Sequence, residues 1–418
     1  MAPLTGIRVV DFGRVLAGPH CAQTLLDLGA EVIKIEPPSG DLARQAFPRN
    51  GEISGYYAQQ NAGKRNISID LNVEGAREVA LRLCEEADVI VENFRPGTLA
   101  SFGLGYDDVA ARNPGVVYAS ISGYGQHGSW RARSAYAPTV QAEVGITEMS
   151  NAHWGTQGNH LRSDSLSHGD VYTGLHAAIA ILAALNERSS TGQGQYIDVA
   201  MAAVLMAINE RVSADLSEAE LGDETPILGA TDCVFFIGPD GNRFVSPISL
   251  VGSATFPLYL AAMRRPDLAA DPRFGTPHDR RRNLQALHEI VQRWIWTFDD
   301  TASLEAQLDE AKMPIGALRD IAEFAETDWA RQWGATRTVP DRAGGRITVP
   351  GRPWHFTGTA KPNGGADASE TVATGEPDRQ PARQGEHNEE VLRELGYNED
   401  EITEFTHRGM LVHNRDTH

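Results

Sequence analysis

One carboxylate in this sequence stands where it could act as a nucleophile. Gly169 and Asp170 end a long irregular region and immediately precede residues 171–188, an apolar segment with the pattern of a helix. At a helix start, unpaired N–H groups and the helix dipole favour the ionised carboxylate and hold it in place. A covalent acyl carrier needs such a group. The alternative, which the residues alone favour, is that Asp170 simply caps the helix.

Other familiar catalytic patterns are absent from the sequence. The turn at residues 13–18 follows a predicted strand, but it lacks the middle glycine of G-x-G-x-x-G, which disfavours NAD(P) binding. Neither a P-loop nor a G-x-S-x-G motif occurs. His153, His160 and His168 are spaced by seven and eight residues and match no helical pair of metal ligands. We therefore predict no metal site.

Composition and charge exclude several classes of protein. The 418 residues include 37 Lys plus Arg and 56 Asp plus Glu, a net charge of −19, which argues against a nucleic-acid partner. An anionic small ligand would need a local cationic pocket. Cys21, Cys84 and Cys233 are few and far apart, which suggests a reducing compartment. The sequence shows no secretory signal and no membrane-spanning stretch, so we expect a cytoplasmic protein without a membrane partner.

The first half of the chain alternates strand and helix patterns, which predicts an α/β domain with a parallel sheet. Ligands of such domains bind at the carboxyl ends of the strands. The predicted strands are residues 7–12, 31–36, 66–71, 88–92, 116–121 and 195–199, with helices at 20–28, 74–86, 106–112 and 171–188.

The composition changes after about residue 217. Residues 231–237 and 242–245 predict a β-hairpin around a Gly-Pro-Asp-Gly turn. Together with helical patterns that follow it, this hairpin predicts a smaller α+β domain at 225–335. Those helices are predicted at residues 256–263, 282–297, 303–311 and 320–332; residues 361–384 predict a linker, and two short helices are predicted at 388–395 and 399–405.

Several longer motifs, taken together, resemble the class III coenzyme A transferases, a family that also contains α-methylacyl-CoA racemases. The resemblance runs from Leu4 to about Met410. Its main carriers are L-x-G-I-R-V-V-D-F at 4–12, A-G-P at 17–19, LGAEVIKIE at 28–36, N-A-G-K-R at 61–65, VENFRPG at 91–97, G-D-x-x-T-G at 169–174, TGQGQ-x-IDVAM at 191–201, DPRF at 271–274 and GEH-x-x-x-VL-x-ELGY at 385–397.

The resemblance implies a fold and a reaction. A Rossmann-like large domain would comprise residues 1–215 and 340–418, the small domain at 225–335 would be inserted between them, and two subunits would interlock as a homodimer. The family's catalytic Asp falls on Asp170, where it would carry acyl groups and CoA covalently. The enzyme would move CoA from an acyl-CoA to a carboxylic acid, with acyl-CoA as substrate and no permanently bound cofactor or metal.

The resemblance also implies contacts with CoA and the acid. The implied contact residues are Leu16, Ala17, Pro37, Asn72, Asn93, Phe94, Arg95 and Tyr136, with Lys64 and Arg133 as further cations. Leu16, Pro37, Asn72 and Ser101 stand where formyl-CoA transferases carry polar or basic residues. We therefore expect Arg95, with Lys64 or Arg133, to meet the CoA phosphates.

Two alternatives to the transferase remain. A racemase needs a base and an acid on opposite faces of the substrate, and that branch of the family uses a His before the catalytic Asp. The equivalent segment 133–138 has no His, which favours the transferase. The chain could also be a CoA-binding homologue without activity, but the retained Gly169 and Asp170 argue against this.

Overall fold

The computed structural model describes residues 2–153, 162–163, 166–210, 212–216, 234–241, 243–245, 248–356 and 379–413. The chain divides into two units. The larger unit comprises Met1–Glu210 and Asp328–His418, and the smaller unit comprises Arg211–Thr327. We expected the small domain at 225–335, whereas the smaller unit begins earlier, at Arg211, and also ends earlier, at Thr327. Most of the predicted linker at 361–384 lies outside the described residues.

The larger unit is built on a six-stranded parallel sheet, which confirms the predicted α/β class. The strand order is β5-β2-β1-β6-β7-β8. The chain therefore runs outward from β1 to one edge and returns beside β1 at β6, so the topological switch lies between these two strands. The strands are β1 (Arg8–Asp11), β2 (Glu31–Glu36), β5 (Arg65–Ser68), β6 (Val89–Glu92), β7 (Val117–Ser122) and β8 (Tyr196–Ala200).

Both faces of this sheet are covered, which explains why the central strands β1, β6 and β7 are buried along almost their whole length. Val9 packs on the face that α1 and the long helix α7 cover, and Val10 packs on the opposite face with α3, α16 and α17. The helices of this unit are α1 (Ala17–Asp27), α2 (Gly55–Asn61), α3 (Ala76–Glu85), α4 (Tyr106–Ala110), α5 (Ala137–Glu143), α6 (Ile146–His153), α7 (His168–Thr191), α8 (Met201–Ala207), α15 (Asp328–Trp333), α16 (Asn388–Glu394) and α17 (Glu399–His407).

Two small antiparallel pairs complete the larger unit: β3 (Arg49–Asn50) with β4 (Ile53–Ser54), and β12 (Thr336–Pro340) with β13 (Arg346–Pro350). Ile53 and Tyr57 pack with residues of β12 and β13 in a separate hydrophobic cluster. No helix in the described part of the chain is long and apolar enough to cross a bilayer.

The smaller unit pairs a short sheet with helices around Phe236, Phe274 and Leu287. The predicted hairpin is present as β9 and β10, although residues 231–233 lie outside the described residues. The predicted helix at 282–297 is broken at Asn283, and the one at 320–332 is two helices separated at residues 326–327. The elements are α9 (Val212–Leu216), β9 (Phe235–Ile237), β10 (Arg243–Val245), α10 (Phe256–Met263), α11 (Pro277–Arg282), α12 (Leu284–Ile295), α13 (Thr301–Glu310), β11 (Gly316–Ala317) and α14 (Ile321–Ala325).

The start of α7 differs from the prediction. The helix begins at His168 with Ser167 as its N-cap, so Asp170 is the third helical residue and not the cap. The earlier start follows from Gly169, which is buried and whose N–H donates to Oε1 of Gln141 at 3.1 Å. A tertiary contact thus adds residues to the helix that its apolar periodicity does not mark. The interpretation of Asp170 as a simple helix cap is wrong.

Candidate active site

A cavity of about 310 Å³ opens at the carboxyl ends of β1, β6 and β7, at the topological switch of the sheet. In parallel α/β folds this is where ligands bind. Asp170 lines the cavity together with residues from the loops that follow these strands. The other lining residues are Arg14, Val15, Leu16, Ala17, Leu42, Asn93, Phe94, Arg95, Pro96, Ile121, Ser122, Gly123, Arg131, Arg133, Ser134, Ala135, Tyr136 and Met201.

Asp170 is held in this cavity without a hydrogen-bond donor among the described residues. Burial raises the pKa of its carboxyl group to about 6, and no neighbouring cation lowers it. We expected backbone N–H groups at the helix start to favour the ionised form, and the structure contradicts this because the third helical position receives none of those bonds. The carboxylate is therefore not committed to any protein partner, and a nucleophile needs such freedom.

The other residues of the G-D-x-x-T-G segment explain how Asp170 is placed. A Cβ on Gly169 would lie 2.9 Å from Sδ of Met201 and 3.2 Å from Cβ of Ala137. The Thr173 hydroxyl donates to the carbonyl of Gly169 at 2.5 Å. A Cβ on Gly174 would lie 2.7 Å from the carbonyl oxygen of Ala17. Gly174 thus lets α7 pack closely on α1, whose first turn borders the same cavity, and Gly169 lets it pack on α5 and α8.

Gly174→Ala is expected to lower the free energy of unfolding by about 1–3 kcal/mol, because the added methyl group meets a backbone carbonyl that cannot move aside easily. In a helix with free space around the glycine, the same change raises the free energy of unfolding by about 1 kcal/mol. The sign of the measured change therefore tests the close contact. Denaturant unfolding measures it. Gly275→Ala is the control, since no atom lies within 4 Å of its added Cβ. Equal stability of the two variants would contradict the close approach of α1 and α7.

The loop after β1 is held in a strained conformation by buried charged groups. Val15 has φ of 64°, which is rare for a β-branched residue. Its N–H donates to the carboxylate of Asp41, at 3.0 and 3.3 Å from the two oxygens. Asp41 in turn pairs with the buried ammonium of Lys34 at 3.0 Å. Nζ of Lys34 also donates to the carbonyl of Gly13 at 2.5 Å, so this ion pair fixes the loop at two points.

Asn93 fixes the same loop from the end of β6. Its Oδ1 accepts from the N–H of Arg14 at 2.8 Å, and its Nδ2 donates to the carbonyl of Arg14 at 3.0 Å. Asn93 lines the cavity, but both ends of its amide are already bonded to this backbone. Next to it, the N–H of Phe94 donates to the buried carboxyl of Glu92 at 2.7 Å, which orders the segment that carries Arg95.

Lys64 does not reach the cavity, and the prediction that it meets a CoA phosphate needs correction. The residue is 2% exposed. Its ammonium donates to Oδ2 of Asp11 at 2.8 Å, to the carbonyl of Pro19 at 2.9 Å and to Oδ1 of Asn61 at 3.0 Å. These bonds use all three N–H donors. Burial lowers the pKa of Lys64 to about 8. Lys64 is thus a buried structural group beneath the loop.

Pro37 and Asn72 also lie outside the cavity lining. The carbonyl of Pro37 accepts from the Ser68 hydroxyl at 3.2 Å and from Nε2 of Gln384 at 2.9 Å. Asn72 donates to the carboxylate of Asp70, at 3.0 Å from its backbone N–H and 2.9 Å from its side chain. The remaining predicted contacts do line the cavity, namely Leu16, Ala17, Asn93, Phe94, Arg95, Arg133 and Tyr136, the last with 65% of its surface exposed.

The cavity is locally cationic in a chain of net charge −19. Among the described residues, four arginines line it, and Asp170 is the one carboxylate that does so. Arg95 donates to the Ser134 hydroxyl at 2.6 Å. Arg133 pairs with Glu143 and stacks 4.2 Å from the centre of the Trp130 ring. The cavity therefore suits an anionic ligand.

Donors for a developing oxyanion lie at the same place. The N–H groups of Leu16 and Ala17, two residues that line the cavity, lie at the start of α1, where a helix offers donors without partners of its own. Tyr56 is not among the residues that line the cavity, although the charge of Asp170 acts on its hydroxyl. Burial foremost, and then the charges of Asp170 and Asp41, raise the pKa of Tyr56 to about 12, so this hydroxyl stays protonated.

Arg14 and Tyr56 were missed by the sequence analysis. Arg14 stands directly after a strand that was predicted to end at a ligand-binding edge, and this position was a usable signal. Tyr56 carried no comparable signal, because its distance in sequence from Asp170 is bridged only by tertiary packing. No group of three or more metal-ligating side chains occurs in the described part of the chain.

The arrangement of a parallel switch-point cavity, a free carboxylate and a cationic lining defines a class of group-transfer enzymes that bind anionic substrates. The family model "CoA-transferase family III" matches residues 4–367, and the chain belongs to this family. The resemblance seen in the motifs is thereby confirmed, and the chain is a class III CoA-transferase family enzyme.

Individual relatives support this assignment over most of the chain. The chain is 32% identical to succinyl-CoA:mesaconate CoA-transferase of Haloarcula hispanica, covering 87% of this chain and 93% of that protein. It is 31% identical to formyl-CoA:oxalate CoA-transferase of Streptomyces coelicolor, covering 98% and 99%. The crystal structure of a CaiB/BaiF family protein from Brucella suis is 28% identical, with a TM-score of 0.72 and coverage of 94% and 99%.

Proposed function

We propose that this protein transfers CoA from an acyl-CoA donor to a carboxylic acid through covalent intermediates on Asp170. The single observation that supports this most is the Asp170 carboxylate, which lines a cationic cavity and has no protein partner among the described residues. A structural carboxylate in such surroundings would be paired with an arginine. This one is left available to react, and arginines line the same cavity.

The reaction follows from carboxylate chemistry. Asp170 attacks the thioester carbonyl, the C–S bond breaks, and an aspartyl anhydride and CoA thiolate form. The thiolate then attacks the aspartyl carbonyl, which releases the donor acid and leaves an enzyme thioester. The acceptor carboxylate attacks this thioester to give a new anhydride, and the released thiolate attacks its acyl carbonyl. Asp170 is thereby regenerated, and because every intermediate stays activated, no ATP is consumed.

The neighbouring groups have separate tasks in this scheme. Each attack places negative charge on a carbonyl oxygen, and N–H groups at the start of α1 are the donors that can stabilise it. The arginines of the cavity would bind the phosphates of CoA or the carboxylate of the acid. Arg95 and Arg133 from the sequence prediction remain in this role, whereas Lys64 does not.

The experiment is a transfer assay with the purified protein. Succinyl-CoA and formyl-CoA, donors named for the two relatives, are each incubated with a panel of acids that includes mesaconate and oxalate. Formation of a new CoA ester supports the proposal. Exchange of the α-proton of an acyl-CoA in deuterated water, without transfer, would instead identify a racemase. CoA binding with neither reaction on any pair would identify an inactive homologue.

The resemblance implies two further properties that we carry forward as parts of this proposal. The chain would act as a homodimer, since class III CoA-transferases interlock two subunits. It would work in the cytoplasm, and this fits the free, buried thiols of Cys21 and Cys84.

The rate of the first chemical step is expected to fall as the pH is lowered through about 6. Burial raises the pKa of Asp170 to about 6, and only the ionised carboxylate can attack. kcat/KM for the acyl-CoA should therefore be constant above this range and decline tenfold per pH unit well below it. Circular dichroism at each pH controls for unfolding. A profile that stays flat down to pH 5 would contradict the assignment.

A further inference from the structure

We propose that Arg14 binds an oxyanion of the substrate and that Asn93 is the positioning residue that sets Arg14 for this contact. The inference rests on the proposed function, because it takes the cavity of Asp170 to be the acyl-CoA site. Arg14 belongs to none of the contacts that the motifs implied. Its role follows from three features of the structure: an unsatisfied guanidinium, a lack of competing carboxylates, and a backbone fixed on both sides.

The guanidinium of Arg14 lacks the partners that a half-buried arginine needs. Its Nε is shielded from solvent and makes no hydrogen bond with any described residue. Its Nη2 makes one long bond of 3.5 Å to the carbonyl of Gly40. Arginine stays charged at every accessible pH, so a shielded N–H without an acceptor carries a cost in free energy. An anion in the cavity would remove this cost.

No carboxylate among the described residues pairs with the guanidinium of Arg14. Asp41 lies next to the loop, but its oxygens accept from Val15 and pair with Lys34. Asp170 shares the cavity, yet no arginine lowers the pKa of its carboxyl group. Arg133, in contrast, already has Glu143 as a partner. Arg14 therefore keeps an unbonded Nε and has no carboxylate partner among the described residues, whereas the charge of Arg133 is already paired.

The backbone of Arg14 is fixed more tightly than a surface loop requires. Asn93 bonds both its N–H and its carbonyl, at 2.8 and 3.0 Å. The following residue, Val15, is held at a φ of 64° through Asp41. A left-handed conformation at a β-branched residue persists only where the surroundings over-determine it, and such sites cluster where ligands bind. These hydrogen bonds keep the backbone of Arg14 at the mouth of the cavity.

Two groups of the substrates present the oxyanion that a guanidinium binds in a forked geometry: a phosphate of CoA and the carboxylate of the acid. Equilibrium titration with CoA measures the first. The KM of the acceptor acid in the transfer assay measures the second. The affinity for dephospho-CoA then tests for a contact with the 3′-phosphate, and the affinity for a pantetheine thioester tests for a contact with the diphosphate.

Arg14→Gln is expected to weaken the binding of its anion by about tenfold to a hundredfold, the usual loss for a hydrogen bond to a charged group. A rise in the Kd of CoA assigns Arg14 to a phosphate, and a rise confined to the KM of the acid assigns it to the carboxylate. Arg112→Gln is the control, because Arg112 is a surface residue paired with Glu78 and Glu85. If Arg14→Gln stays within twofold of the control in both measurements, the proposal is overturned.

Asn93 is tested by a double-mutant cycle with the same readouts. If Asn93 acts through Arg14, Asn93→Ala weakens the same step, and the double variant Arg14→Gln/Asn93→Ala loses little beyond the worse single variant. If the two losses add in full, Asn93 contacts the ligand directly and its positioning role is excluded. CoA titration does not require turnover. A protein that binds CoA through Arg14 but transfers nothing would therefore refute the proposed reaction and leave this inference standing.

Discussion

Asp170→Asn is expected to lower the rate of CoA transfer by about three orders of magnitude or more, with the fold and the affinity for CoA retained. Asparagine is nearly the same size and preserves the packing of α7, but its amide cannot form the anhydride. In the native protein no described residue donates to the Asp170 carboxylate, so the substitution breaks no internal bond. Stability should change little, because burial of a neutral amide replaces that of a carboxyl with a raised pKa.

The control for this variant is Asp107→Asn, another acidic residue in the first turn of a helix but exposed and outside the cavity. It tests whether removing a negative charge at a helix start is itself harmful. Such a removal lowers the free energy of unfolding by about 0.3–1 kcal/mol at most. Mass spectrometry must exclude deamidation of residue 170 back to Asp. Transfer at the native rate by an undeamidated Asp170→Asn protein would rule out the nucleophile.

Lys64→Met is expected to lower the free energy of unfolding by about 3–5 kcal/mol, since it removes the ammonium that pairs with the buried carboxylate of Asp11 at 2.8 Å. The change also deprives the carbonyl of Pro19 of a donor, at the base of the cavity loop. Methionine keeps the volume of the lysine stem, so the loss reflects charge and hydrogen bonding rather than a void. Denaturant unfolding followed by circular dichroism measures it.

The double variant Asp11→Asn/Lys64→Met distinguishes an ion pair from general packing. Removing both charges should recover part of the loss, although the amide of Asn must still serve the N–H of Gly13. A stable Lys64→Met protein whose only defect is weaker CoA binding would contradict the structural role. It would reinstate Lys64 as a ligand contact.

The sheet was predictable because its strands are buried on both faces. Runs such as residues 7–12 and 31–36 each contain three Val or Ile residues, which favours strands, and turns with glycine or proline separate the runs. The position of Asp170 at the end of an irregular segment also followed from sequence. Its helical register did not, because Gly169 joins α7 through a side chain of α5 that periodicity cannot reveal.

The sequence alone could not distinguish structural cations from ligand-binding cations. Lys64 and Arg14 both stand beside strands of one sheet, and charge alone does not distinguish them. Lys64 points inward because Asp11, Asn61 and the carbonyl of Pro19 are arranged around its ammonium. Arg14 stays at the cavity because Asn93 bonds its backbone. Both outcomes depend on groups that come together only when β1, β5 and β6 are assembled.

The direction in which the pKa of Asp170 shifts could not be predicted from the sequence either. A first-turn carboxylate suggested stabilisation by N–H groups, whereas enclosure in the cavity raises the pKa instead. Burial of this kind comes from loops far apart in sequence, including 93–96 and 131–136.

The central claim is that Asp170 carries the acyl group and CoA covalently, and trapping tests it most directly. The protein is incubated with an acyl-CoA, quenched with hydroxylamine, digested and analysed by peptide mass spectrometry. We predict a hydroxamate at residue 170 that depends on the acyl-CoA and is missing from Asp170→Asn. Transfer that proceeds while residue 170 remains unmodified, or a mark at a different residue, would contradict the account.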